Sequence, residues 1–266
     1  MVMLVFQAPD DGSTEPSAAR ASRGHATMKS GPTHLKLAEQ EGPSVNTYQL
    51  SGVRRLVVIG IPIAFAVLLL FHPAADGQVY NALHHHTTRW QIVHVGLLLF
   101  IGLMAIAIYL LIDGLDGRRA TISRAALLPF VLFYGAFESF TGIGTGELVR
   151  HAHDLPPADQ VIAGELIQSY WESPLAGNIS LLSGLGTLSG VVAVIAAALA
   201  LRQAGAPRSV PILLGLAAVA FFVDHGPPTG PAGLVLFAVA AWRLDGHVFP
   251  LVKAETRRTA PHTPIA

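Results

Sequence analysis

Beyond residue 55 the chain alternates between long apolar runs and short polar connections. The runs cover residues 56–71, 90–112, 125–145, 179–201, 210–223 and 231–243. A helix that crosses the hydrocarbon layer wants about 20 apolar residues, with a range of roughly 17–25. The first four runs reach or approach that length, and the last two fall short of it. Pro62 sits inside the first run and predicts a kink there. The pattern predicts an all-α fold, a polytopic integral membrane helical bundle of six transmembrane helices within residues 51–245. A re-entrant hairpin formed by runs five and six is the alternative to two full crossings.

The polar stretches divide the chain further. Residues 1–50 are rich in Ser, Gly and Pro and lack periodicity, which predicts a disordered tail. Met28 offers an alternative start to Met1, and "MVMLVF" is too short for a signal-peptide core. Residues 246–266 form a second tail. Between runs three and four, Val161, Ile162, Leu166, Ile167, Tyr170 and Trp171 recur at helical spacing, with Asp159, Gln160, Glu165, Gln168 and Glu172 opposite. Pro156 and Pro157 suit a helix start. The stretch reads as an amphipathic helix that lies on the outer membrane surface or caps the bundle.

Charge gives the orientation. Arg54, Arg55, Arg118, Arg119, Arg124, Arg202, Arg208, Arg243, Lys253, Arg257 and Arg258 fall on one side of the six runs, and only Arg89 and Arg150 on the other. The positive-inside rule then places both tails in the cytoplasm of a cell bounded by a plasma membrane. Five crossings would put the basic C-terminal segment outside. Trp90 and Trp242 lie at run ends, where interfacial tryptophans are expected.

Composition agrees. The chain is 52% hydrophobic and 13% charged, with a mean hydropathy of +0.51, whereas soluble domains average about 25% charged. A net charge of +0 gives no basis for a nucleic-acid partner. The absence of cysteine excludes disulfides, thiolate metal sites and a cysteine nucleophile. Plentiful Arg, Ala, Gly and Pro point to a GC-rich bacterial source.

The predicted topology sorts the chemistry. Of the 12 histidines, His72, His84, His85, His86, His94, His151, His153 and His225 fall outside, as do Asp76, Glu147, Asp154 and Asp224. Glu138 and His94 lie within apolar runs, where an ionisable group is costly and faces a partner or a wet cavity. The plainer reading of both is a neutral side chain hydrogen-bonded to its surroundings. His72, His94, Glu138, Asp224 and His225 are therefore expected around one outward cavity. Within that set, His72, His94, Glu138 and His225 are candidate ligands for a divalent transition metal. Glu147, His151 and Asp154 would share a helix face if the third helix continued past Gly142, Gly144 and Gly146, and they are the weaker metal candidates. His84–His86 cannot all turn to one ion on a regular backbone, and they read as the rim of the site. Gly186 and Gly190 make a small-residue seam, for packing inside the bundle or against a second copy or partner subunit.

No HExxH, GxxxxGK[ST] or GxSxG motif is present. Three function classes follow. The leading one is a binding or transport protein, not an enzyme, that handles a metal ion or protons at the outward cavity in contact with the lipid bilayer. The second is a membrane-embedded metal-dependent hydrolase with Glu138 as general base. The third is a structural or accessory subunit.

Overall fold

In the computed structural model, residues 46–75 and 77–249 are described. The tails predicted over residues 1–50 and 246–266 therefore lie mostly outside them, as does Asp76. The chain forms helices α1 (Gly52–Leu69), α2 (Val79–Leu83), α3 (Thr87–Leu111), α4 (Arg118–His153), α5 (Pro157–Trp171), α6 (Leu181–Gln203), α7 (Ser209–Val223) and α8 (Thr229–Leu244). Four of them (α1, α3, α4 and α6) are long and apolar enough to cross a membrane, and α7 and α8 are shorter apolar helices.

One small departure from an all-α fold occurs. Asn46–Thr47 pairs antiparallel with Val248–Phe249, giving two-residue strands β1 and β2. Nearby, Leu50 N–H donates to Asp245 Oδ1 and Arg55 pairs with the same carboxylate. The start of α1 and the end of α8 thus meet at one end of the bundle. Arg54 and Arg124 donate to carbonyls around the C-terminus of α3, Leu110 O for Arg54 and Ile112 O and Leu115 O for Arg124. That satisfies helix-end acceptors with cations, which the helix dipole also favours there. This arginine end is the counterpart of a histidine end at the opposite pole.

Several apolar runs extend further as helices than their hydrophobicity alone marks. The third is the clearest case, because α4 runs for 36 residues and continues through Gly142, Gly144 and Gly146. It does so with two π stretches, Phe130–Tyr134 and Glu138–Gly144, and α1 carries a third over Leu56–Gly60. Proline lacks the N–H that an α-helical turn needs. Two of the π stretches adjoin Pro62 and Pro129, so the shift to i→i+5 pairing occurs where a proline interrupts the ladder.

The core lies along α1, α3, α4, α6, α7 and α8, with Phe65, Leu97, Ile101, Phe130 and Leu214 among its buried members. The small-residue seam is occupied within the chain. A Cβ on Gly186 would lie 2.6 Å from the Tyr134 backbone nitrogen, and one on Gly190 would lie 2.9 Å from the Phe130 ring. Helix α5 packs back along α4. Near its start, Gln160 donates to His153 O and Leu155 O, and at its end Tyr170 donates to Phe140 O. Ile167 is buried against Val149 and Ala152, whereas Val161, Ile162 and Leu166 are exposed. The apolar residues of this helix are thus split between a face on the bundle and a face pointing away.

Candidate functional site

The structure places His72, His94, Glu138, Asp224 and His225 near one another at one end of the bundle. His72 follows α1, Asp224 and His225 follow α7, and His94 and Glu138 lie on α3 and α4. His72, His94, Asp224 and His225 line one cavity of about 390 Å³. The His72 ring centroid is 5.0 Å from that of His94 and 5.3 Å from that of His225. Glu138 lies immediately behind His94, with its Oε2 3.8 Å from His94 Nε2.

The sequence builds this arrangement from α3 and α4. Gly142 brings the two helices close, since a Cβ there would lie 2.0 Å from His94 Cδ2. Gly146 makes the same room for Trp90 and Gln91, 2.9 Å from each. The π stretch beginning at Glu138 disturbs the regular pairing of carbonyls. Two of those carbonyls are held by neighbours: Trp90 Nε1–H donates to Gly142 O at 2.6 Å and Tyr170 O–H donates to Phe140 O at 2.8 Å. Thr141 Oγ1 donates to Ala176 O, which ties the same stretch to the loop after α5.

Hydrogen bonding fixes the polarity of two imidazoles. His94 Nδ1 lies 2.8 Å from Trp90 O. A carbonyl only accepts, so Nδ1 carries the proton of the neutral ring and Nε2 faces Glu138 with its lone pair. His72 bonds to the backbone of Pro73, which has no N–H, so the carbonyl must be the acceptor. His72 Nε2 is buried without a partner. Burial, reinforced by the neighbouring His225, pushes His72 down to about 4, and burial also lowers His225.

Glu138 has 0% exposure, and neither carboxylate oxygen has a hydrogen-bond partner. A buried charge without compensation is costly. Glu138 is therefore neutral unless a cation stands beside it, and a proton on its carboxyl would point to the free lone pair of His94. The gap of 3.8 Å exceeds a hydrogen bond, and about 1 Å of side-chain movement closes it.

The other histidine-end residues lie apart from this cavity. Glu147 is engaged by Arg150 and Gln91, with His151 Nε2 at 3.7 Å from Glu147 Oε2. The continuation of α4 that this trio required is present as far as His153, and Asp154 follows at its C-terminal cap. His84 stacks on Tyr80, and its ring lies 3.7 Å from His85 and 6.0 Å from His153. Among the described residues, no group of three or more His, Cys, Asp or Glu is placed to hold a metal ion.

Trp90, in the first turn of α3, is turned into the protein. It is 1% exposed and packs against His94, His72 and Trp171 within the bundle, whereas Trp242 is exposed. Phe137, Thr141, Trp171 and Asn178 also line the cavity and carry no signal in the composition of their runs. The "GIGTG" glycines were the available clue, because glycine in an apolar helix marks close approach by a neighbour. In comparisons with known proteins, the chain matches no family model, no curated protein and no solved structure.

Proposed function

We propose that the chain is a multi-pass protein of the plasma membrane that carries protons between an outward cavity and Glu138. Six crossings with both tails in the cytoplasm fit the arginine distribution and the meeting of the α1 start with the α8 end through Arg55 and Asp245. An even number of crossings returns the chain to the side from which it began. The four long apolar helices supply four crossings, and α7 with α8 supplies a shorter pair.

The observation that carries the reading is the wholly buried, unpartnered Glu138 carboxyl behind His94 at the base of a histidine-lined cavity. An intramembrane carboxyl of this kind is costly and is characteristic of proton and ion pathways. Because no three donors are placed for ligation among the described residues, a proton suits the group better than a metal ion. Toward the arginine end, α3 and α4 bury Leu97, Ile101, Phe130 and Tyr134. That packing supports a carrier which loads from one side at a time, and it does not support an open pore.

The test is a proton-flux measurement in vesicles containing an entrapped pH-sensitive dye. After an external acid step, wild type should acidify the lumen faster than protein-free vesicles, and Glu138→Gln should fall to the vesicle background. Wild-type flux equal to the background would overturn the proposal.

A further inference from the structure

The histidine cavity is far larger than a proton requires. Its volume of about 390 Å³ falls in the range of small-molecule sites, which run from roughly 300 to 1,000 Å³. Asn178 and His225 contribute to its lining, and the polar chemistry on the His72–His94 side is accepting. His72 and His94 each give their N–H to a backbone carbonyl and leave Nε2 as an acceptor. Asp224 lines the same cavity, and Glu138 stands behind His94 with both oxygens unpartnered. Among the described residues, no lysine or arginine lines it. Trp90, Trp171 and Phe137 supply apolar wall.

Acceptors that have already committed their donors want a ligand with N–H groups to give. A buried carboxyl that is ionised only beside a cation wants that ligand to be positive. Aromatic walls favour an alkyl group on the cation and attract the charge itself. We infer that the cavity binds a small organic ammonium ion, a protonated primary amine with a short alkyl group. The inference rests on the outward His/Glu site proposed above and names the solute that accompanies or replaces the proton there. The ammonium group sits against His72 Nε2 and His94, with the Glu138 carboxyl behind His94 as the nearby countercharge, and the alkyl group lies along Trp90 and Trp171.

The chain's own fluorescence reports on this. It has three tryptophans, two on the cavity and the third, Trp242, exposed on α8 near the arginine end. In a Trp242→Phe background, detergent-purified protein is titrated at neutral pH with n-butylammonium chloride, and with 1-butanol and sodium butyrate at matched concentration. A saturable fluorescence change with n-butylammonium only is expected. His72→Phe should weaken it roughly tenfold, as loss of a hydrogen bond to a charged group does, and Glu138→Gln should weaken it by removing the countercharge behind His94. His72→Phe is the safeguard should Glu138→Gln alter the fold, which a thermal midpoint reads directly. No saturable change with n-butylammonium, an equal response to 1-butanol, or unaltered affinity in a folded His72→Phe protein would each overturn the inference. Proton flux measured on the same preparation separates the two readings: flux without ammonium binding removes the ammonium ion alone, and ammonium binding without flux removes the carrier alone.

Discussion

At the scale of single residues, the site depends on what Gly142 lacks. A methyl group there would meet the His94 ring at 2.0 Å, so Gly142→Ala must displace the imidazole or part α3 from α4. Overpacking of this kind costs about 1–3 kcal/mol. The thermal midpoint of the detergent-purified variant should fall, while Gly102→Ala on the same α3 meets nothing within 4 Å and should be close to neutral. Equal midpoints for the two variants would contradict the contact. His72 gives a second prediction, for pH. Its folded value of about 4 lies below the ordinary 6.5, so between those limits the unfolded chain binds more protons than the folded one. Stability is then full above pH 6.5, falls as the pH drops toward 4, and levels off below. His225, also lowered, adds to the same fall. His72→Gln should flatten the dependence of thermal midpoint on pH over this window, and an unchanged slope would show that His72 is not held neutral. Of the residues at the site, the ionisable ones were legible because charge is rare in an apolar run and each instance asks for a partner. Trp90 and Trp171 were not, because a tryptophan near a helix end serves an interface or a core equally well, and only the Gly142 carbonyl across the bundle decides which.

At the scale of elements, α4 shows where propensity yields to packing. Glycines weaken an isolated helix by about 1 kcal/mol each relative to alanine, which is why the sequence made the stretch beyond Gly142 doubtful. The helix persists because side chains on other elements hold its backbone. Trp90 reaches it from α3 and Tyr170 from α5. Such partners lie 52 and 30 residues away in sequence, so no local pattern announces them. The seam of α6 was legible, since glycines four apart in an apolar helix call for a close neighbour. Which neighbour was not legible, and it is the Tyr134 backbone on α4. Gly186→Leu should therefore force α6 off α4 and lower the thermal midpoint of the monomer by the equivalent of at least about 1–3 kcal/mol. Gly184→Leu, with open space around it, should leave it nearly unchanged. If Gly186→Leu altered only the oligomeric state and left the midpoint in place, the seam would belong to an interface between chains instead.

At the scale of the whole molecule, two poles of opposite chemistry define the bundle. Arginines cap helix ends at one pole, and histidines with Glu138 gather at the other. A membrane lying between the poles would expose the histidine end and the arginine end to different compartments, and the excess of arginine would mark its pole as cytoplasmic. The chain contains no cysteine, so single cysteines can be introduced into an otherwise unreactive background. His85 in the turn before α3 and Asp154 after α4 belong to the histidine end, and Asp116 in the turn between α3 and α4 belongs to the arginine end. In intact cells, a membrane-impermeant maleimide should label His85→Cys and Asp154→Cys but not Asp116→Cys, which should react only after the membrane is permeabilised. A Gly205→Cys variant, between α6 and α7, should behave like position 116, and a Gly226→Cys variant, between α7 and α8, like position 154 if the short pair crosses fully. Labelling of 226 only after permeabilisation, with 205 also protected, would make α7 and α8 a re-entrant hairpin and the bundle one of four crossings. In either outcome the end of α7 lies beside His72, since the His225 ring is 5.3 Å from the His72 ring. The cavity's own geometry therefore commits α7 to reach the histidine pole, whichever depth the lipid takes around it.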